Sequence, residues 1–418
     1  MKIVWLCNMT PGAVNQSRGA DGGGGLWLDH VLEDIRAQRD ITLRLFCPGG
    51  AGTGRIDERV DYVLFSEGAP QKYREPLEEQ FYEALQAFQP EVIHIWGTEY
   101  GHTLAMVNAA QRLGWQNRVA VSIQGLCCAC ARHYLEGIPE TVCHRYSLRD
   151  FLKRDNLLGQ QRVFAQRGAL ERQALEKAGH VIGRTDMDRA VTGQINPRRG
   201  YHFCNETLRS DFYRDSWNYD GCTKHRIFLS SSVFPFKGAH YLLEAMPLIL
   251  AQYPDAEIAI TGDSFFMANL PAKLRQDYYH RYLAQLADKN GLREKIHFLG
   301  ALSAQQMKRE FLNCNVFVLP STIENSPNSL GEAMLLGVPC VAADVGGVAN
   351  MMHPGQGYVY QSTAPYMLAY YVMEVFRQRE QAEQIGAKAR AQALQTHDPE
   401  KNLRQLLNIY AAIAEEAN

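Results

Sequence analysis

The sequence is short of net charge. Its 418 residues carry 43 Lys and Arg against 45 Asp and Glu, a formal charge of -2, so no basic surplus marks it as a binder of nucleic acid. It lacks any apolar run approaching the roughly 20 residues that a membrane-crossing helix needs. It also lacks a signal-peptide cleavage pattern, since Met-Lys-Ile-Val-Trp-Leu-Cys enters a strand pattern at once. The expectation is a cytoplasmic protein whose ten cysteines are reduced thiols. A hydrophobic fraction of 46% with 21% charged residues suits a folded globular chain rather than a disordered one. The length suits two or three domains.

Metal signatures are thin as well. Cys127 and Cys130 make one Cys-x-x-Cys, close to Cys128, Cys143 and His144, but no second spaced pair follows to complete a zinc site. Asp186 and Asp188 have the Asp-x-Asp spacing of metal-dependent transferases. They fall just after Thr185 in the first turn of a helix, where carboxylates complement the dipole, and this favours a structural role. The expectation is no metal and no resident cofactor.

What is present is strongest over residues 315–347. Val316 to Leu319 form a wholly apolar run closed by Pro320, and Cys340, Val341 and Ala342 form another, as in a parallel sheet covered on both faces. Between them the pattern predicts a helix with Ser326 as N-cap, Pro327 as first helical residue, Gly337 as terminator and Pro339 beyond. The amides of Asn328, Ser329 and Leu330 would then point out of the sheet's carboxyl edge, where the helix dipole favours an anion. Glu324 lies on the loop before that helix and Glu332 within it, seven residues between them. Isolated glutamates are ordinarily solvated surface charges. Beside anion-binding amides, however, they offer acceptors for sugar hydroxyls, and the combination points to a sugar nucleotide.

Further patterns repeat the alternation of strand and helix, which argues for α/β architecture with parallel sheets. In the first half, strands are expected at 2–7, 41–47, 60–65, 92–96, 119–123 and 201–204, with helices near 76–88 and 102–114. The first strand leads into Asp21-Gly22-Gly23-Gly24-Gly25, where Gly23 and Gly24 let backbone approach a ligand closely. Residues 97–102 form a polar turn at a carboxyl edge, which makes Glu99 and His102 acceptor-side candidates. Gln124 follows the strand at 119–123. In the second half, strands are expected at 227–231, 258–261, 296–299, 316–319 and 340–342. Lys237 stands just before a helix N-terminus, where a cation is unfavourable unless an anion sits between, and this makes a phosphate contact attractive.

The spacing Glu324, seven residues, Glu332, followed by Ala-Met-Leu-Leu-Gly-Val-Pro-Cys-Val-Ala, resembles the donor site of the retaining family-four glycosyltransferases. That resemblance implies the GT-B fold, two Rossmann-like domains facing across a cleft. It implies a nucleoside diphosphate sugar as donor, with Glu324 by the donor sugar, Glu332 on the ribose, and the amides of Asn328, Ser329 and Leu330 on the diphosphate. The glycine-rich loop would help hold donor phosphate or acceptor. The family also has Lys at 237 but an Arg five or six residues earlier, where this chain has Ser231 and Ser232. It usually has His where this chain has Gln124, which can bond a sugar hydroxyl but cannot exchange a proton near neutral pH. Catalytic roles fall to Glu324 and Lys237, and Gln124, Glu99 and His102 lie on the acceptor side.

The expected organisation is an acceptor domain at 1–204, a linker at 205–225, a donor domain at 226–396, and a helix at 397–418 returning to the first domain. The function so read is metal-independent, retaining hexosyl transfer to a glycan or lipid-linked acceptor in cell-surface polysaccharide synthesis. A sugar-nucleotide 2-epimerase of the same fold, or a sugar-nucleotide-binding protein without turnover, are the alternatives. The stretch 145–177 reads as helical and carries a local excess of positive charge with Phe151, Leu152, Leu157 and Leu158 interleaved. It suits either a solvated helix face or peripheral contact with the inner face of an anionic membrane.

Overall fold

The computed structural model describes residues 1–19, 27–267 and 269–417. Eight strands form one sheet: β1 (Lys2–Cys7), β2 (Thr42–Pro48), β3 (Gly52–Arg55), β4 (Val60–Phe65), β5 (Val92–Trp96), β6 (Val119–Ser122), β7 (His180–Gly183) and β8 (Gly200–Phe203). Their order is β3-β4-β2-β1-β5-β6-β7-β8, parallel except where β3 runs against β4. Six form a second, parallel sheet: β9 (Arg226–Leu229), β10 (Glu257–Ile260), β11 (Ile296–Phe298), β12 (Val316–Leu319), β13 (Cys340–Ala343) and β14 (Tyr358–Tyr360). Its order is β11-β10-β9-β12-β13-β14. The central strands are buried on both faces, as their unbroken apolar runs predict: residues 3–7 and 316–318 are all inaccessible to solvent.

The chain divides into two compact units. The first comprises Met1–Ala129, Phe164–Arg209 and His397–Asn418, and the second Cys130–Val163 and Ser210–Thr396. The returning helix Pro399–Glu416 belongs to the first unit. Its Tyr410 is fully buried, accepts a hydrogen bond from Trp5 Nε1 at 3.0 Å and meets His94 Nδ1 at 2.6 Å. His94 Nε2 in turn reaches Ser122 Oγ at 2.7 Å. Burial pushes the His94 imidazole down to about 3, so it is a neutral member of this chain of contacts. In the same unit Arg184 Nη1 and Glu206 Oε1 form a buried ion pair at 2.7 Å, and His397 Nδ1 lies 2.7 Å from the Glu206 carbonyl.

Two boundaries differ from those read in the sequence. Residues 130–163 fold with the second unit rather than the first. There Tyr134, fully buried, donates to Gln160 Oε1 at 3.0 Å and packs its ring 5.6 Å from that of Phe236. The stretch expected as a linker at 205–225 is also largely part of the second unit. Trp217 donates its backbone N–H to Leu336 O at 2.7 Å and its indole N–H to Cys314 O at 2.8 Å, so from Ser210 onward the chain is packed. The basic stretch at 145–177 is not one helical run. Leu148–Lys153 ends at Arg154 in the left-handed region, φ 53°, before Leu157–Lys177 begins.

Tyr410→Phe tests the anchoring of the last helix. Losing the hydroxyl strands the Trp5 indole N–H and a ring nitrogen of His94, and stability should fall by about 1–3 kcal/mol, read from the denaturant midpoint.

Candidate active site

In the second unit, the carboxyl end of β9 leads to a short turn, Pro235–Lys237, and then to the helix Ala239–Leu250. Gly238 joins them at φ 72°, and any Cβ there would collide with the Pro320 carbonyl. Glycine therefore lets this turn lie directly against the loop that follows β12. Thr322 N–H donates to Phe236 O at 2.8 Å across the same contact. The result brings Lys237 and Glu324 together: Lys237 Nζ donates to Glu324 Oε1 at 2.6 Å. Ser321 Oγ donates to that oxygen at 2.7 Å, and the Glu324 carbonyl accepts from Gly347 N–H at 3.0 Å. The anion that a cation before a helix N-terminus requires is thus Glu324 itself. One of three ammonium donors faces the carboxylate, which leaves Lys237 the capacity to bind a phosphate as well.

The helix after this loop is Asn328–Leu336, with Pro327 as N-cap. The expected start shifts by one residue because Pro327 adopts ψ 116°, outside the helical range, and its carbonyl accepts from Leu330 N–H at 3.0 Å and Gly331 N–H at 3.2 Å. Ser326 is therefore not the cap. The Leu330 amide is taken up within the first turn, and the amides of Asn328 and Ser329 are those left to a ligand. Glu332, in the second turn, is 3% exposed, a degree of burial that carboxylates reach when they have a partner to meet.

In the first unit, Asn8 organises the acceptor-side candidates. Its Nδ2 donates to Glu99 Oε2 at 2.8 Å, and its Oδ1 lies 2.8 Å from His102 Nε2. Glu99 Oε1 accepts from Gly125 N–H at 3.1 Å, and the Glu99 carbonyl accepts from Arg167 Nε at 2.7 Å. Burial, with nearby Glu171 adding to it, pushes the Glu99 carboxyl up to about 7 against the pull of Arg167. His102 is buried, its ring stacked 5.1 Å from Tyr100, and burial pushes its imidazole down to about 3. It is a neutral support for Asn8, set back from the pocket that Glu99 and Gln124 share.

That pocket, of about 230 Å³, is lined by Asn8, Trp27, Trp96, Glu99, Gln124 and Arg167 among others. It is smaller than the roughly 300–1,000 Å³ of sites for drug-sized ligands. Trp27 and Trp96 meet edge to face at 5.4 Å. Arg167 lies 4.8 Å from the Phe164 ring and 5.4 Å from that of Tyr100. Sequence alone does not mark Asn8, Trp96, Trp27 or Arg167 as pocket residues. The first two carry only the signal of position, since each stands at the carboxyl end of a central strand. Arg167 arrives from the helix Leu157–Lys177, and nothing local marks it.

The glycine loop with Gly23 and Gly24 lies outside the described residues. Asp188 is fully buried and forms a capping box with Thr185, and it accepts from Tyr201 Oη at 2.6 Å, so Asp188 serves the start of this helix. Among the described residues no group of three His, Cys, Asp or Glu is placed to hold a metal ion.

These features define the class: two parallel-sheet units of the GT-B fold, with the loops named above at strand ends. Residues 218–392 match the family described as Glycosyl transferases group 1. An uncharacterized glycosyltransferase of Methanocaldococcus jannaschii is 27% identical over 175 residues, 42% of this chain and 41% of that protein. A GDP-mannose-dependent monoacylated alpha-(1-6)-phosphatidylinositol monomannoside mannosyltransferase of Corynebacterium glutamicum is 27% identical over 172 residues, 40% of this chain. This alignment too spans only 41% of the relative's own length. Among solved structures, the fold is similar to sucrose-phosphate synthase from Thermosynechococcus elongatus, TM-score 0.69 at 17% identity over 99% of each chain. It is also similar to Anabaena HepE in complex with UDP and glucose, TM-score 0.66 at 18% identity over 99% of this chain and 100% of that one.

Glu99 gives a pH-dependent prediction. A carboxyl raised from 4.5 to about 7 on folding contributes stability that is full below pH 4.5 and is lost as pH rises through 7. Between pH 5 and 8 the wild type should therefore lose stability relative to Glu99→Gln, by about 2 kcal/mol, measured by parallel denaturant titrations.

Proposed function

We propose that this chain is a retaining glycosyltransferase that moves a hexosyl group from a nucleoside diphosphate sugar to an acceptor hydroxyl. The observation that carries this reading is the Lys237–Glu324 pair, 2.6 Å apart, which joins the turn after β9 to the loop leading into the helix Asn328–Leu336. Lys237 and the Asn328 and Ser329 amides would meet the diphosphate, Glu324 the donor sugar, and buried Glu332 the ribose hydroxyls. The group 1 match over this region and the likeness to a protein crystallised with UDP and glucose support it. So does a relative that depends on GDP-mannose.

In the reaction, the bond from the anomeric carbon to the donor's phosphate oxygen breaks and a bond to the acceptor oxygen forms on the same face. The leaving phosphate takes the acceptor's proton, so no protein base is required. Lys237 and the amides are in place before charge develops on the leaving group, which is electrostatic preorganisation and needs no metal. The pocket around Glu99, Gln124 and the two tryptophans would receive the terminal ring of the acceptor. A lipid-linked acceptor would be met at a membrane, and the basic stretch 145–177 is the candidate for peripheral contact.

Glu99 also favours a second reading, a sugar-nucleotide 2-epimerase, because its carboxyl titrates near neutrality. Product analysis separates the two. Incubated with UDP- and GDP-sugars and a glycan acceptor, the protein should give a product of unchanged anomeric configuration by NMR, with chelator without effect. Glu332→Ala should weaken nucleoside diphosphate binding by calorimetry roughly tenfold or more, the loss of a charge-assisted hydrogen bond. An epimerised donor, or inversion, would contradict the proposal.

A further inference from the structure

The two most exposed large apolar side chains of the described chain are neighbours. Phe151 is 71% exposed and Leu152 is 72%, and Tyr146 and Leu148 on the same segment are 56% and 48% exposed. Single apolar residues on a surface need no explanation, but a contiguous group does. The helix Leu270–Arg275, packed against Leu148–Lys153, adds exposed Leu274 and Arg275.

The segment is firmly mounted. Ser147 and Asp150, both buried, close a capping box: Asp150 N–H donates to Ser147 Oγ at 3.1 Å and Asp150 Oδ2 accepts from Ser147 N–H at 3.0 Å. The same carboxylate accepts from Tyr278 N–H at 2.9 Å and from Arg149 Nη1 at 3.1 Å. This fastening consumes the acids. Asp150 is 1% exposed, and Asp155 is ion-paired with Arg149 at 3.2 Å. Within 144–154 the charges left in solvent are cationic: Arg145, Lys153 and Arg154 are all exposed.

We propose that the finger 144–154 of the second unit docks on a membrane surface containing anionic lipid. Phe151, Leu152, Leu148 and Tyr146 would enter the headgroup region while Arg145, Lys153 and Arg154 meet lipid phosphates. A protein partner fits less well, because interface centres are depleted of lysine and here Lys153 follows Leu152 directly. The inference deepens the reading of a membrane-presented acceptor, on which it rests, and narrows the contact from 145–177 to its first part. Leu157, at the start of the following helix, is only 1% exposed.

The test is co-sedimentation of the full chain with vesicles of phosphatidylcholine alone or mixed with phosphatidylglycerol. The wild type should pellet with the mixed vesicles and be released by salt. Phe151→Ser with Leu152→Ser, and separately Lys153→Ala with Arg154→Ala, should each lower the bound fraction roughly tenfold or more. Calorimetry on the same samples should show nucleoside diphosphate binding and thermal stability unchanged, since these side chains lie at the surface. Equal binding to both vesicle types, equal binding of the variants, or pelleting without vesicles would each overturn the finger. Vesicle binding as predicted, in a protein that binds no nucleoside diphosphate, would support the finger and sink the transferase reading instead.

Discussion

The parallel backbone ladder is the constraint on which the rest of this protein depends. A sheet whose neighbouring strands run the same way must be covered on both faces, which accounts for runs such as Val316 to Leu319 with no polar residue among them. It also sends the carboxyl ends of neighbouring strands to one edge, where open sheets of this kind gather their ligands. β9 and β12 are direct neighbours, paired at Val316 with Ile227 and Phe317 with Phe228. Their following loops therefore touch, and Lys237 and Glu324 meet although they lie 87 positions apart in the chain.

That meeting is held by backbone as much as by charge. A partly exposed ion pair contributes about 0–1 kcal/mol, too little to shape two loops. The close approach of Gly238 to Pro320 and the Thr322–Phe236 hydrogen bond set the geometry first. The inserted segment adds to this from behind: Tyr134 packs on Phe236, and Thr322 Oγ1 donates to His133 O at 2.8 Å. The ammonium and carboxylate are thus held in place by the fold itself.

Much of this was legible in the sequence because it is local. The strands at 316–319 and 340–342, the Gly337 terminator and the spacing of Glu324 and Glu332 are all carried by neighbours in the chain. Three kinds of feature were not. The strand Gly52–Arg55 has two glycines in four residues and reads as a loop, since its pairing with β4 supplies what its propensity lacks. Arg167 reaches the pocket beside Glu99 and Gln124 from a helix far along the chain, with no local mark. Residues 130–163 and 210–225 join the second unit through Tyr134 and Trp217, whose partners lie at Phe236, Gln160, Leu336 and Cys314. Such long-range packing overrides a boundary drawn from composition.

The central claim is that the paired loops after β9 and β12 bind a nucleoside diphosphate. A crystal structure of the protein soaked with UDP or GDP addresses it most directly. The account predicts diphosphate oxygens within hydrogen-bond distance of Lys237 Nζ and of the Asn328 and Ser329 amides, with the ribose at Glu332. A nucleotide seated elsewhere, with the Lys237–Glu324 pair unaltered and dry of ligand, would contradict it and return both residues to scaffold.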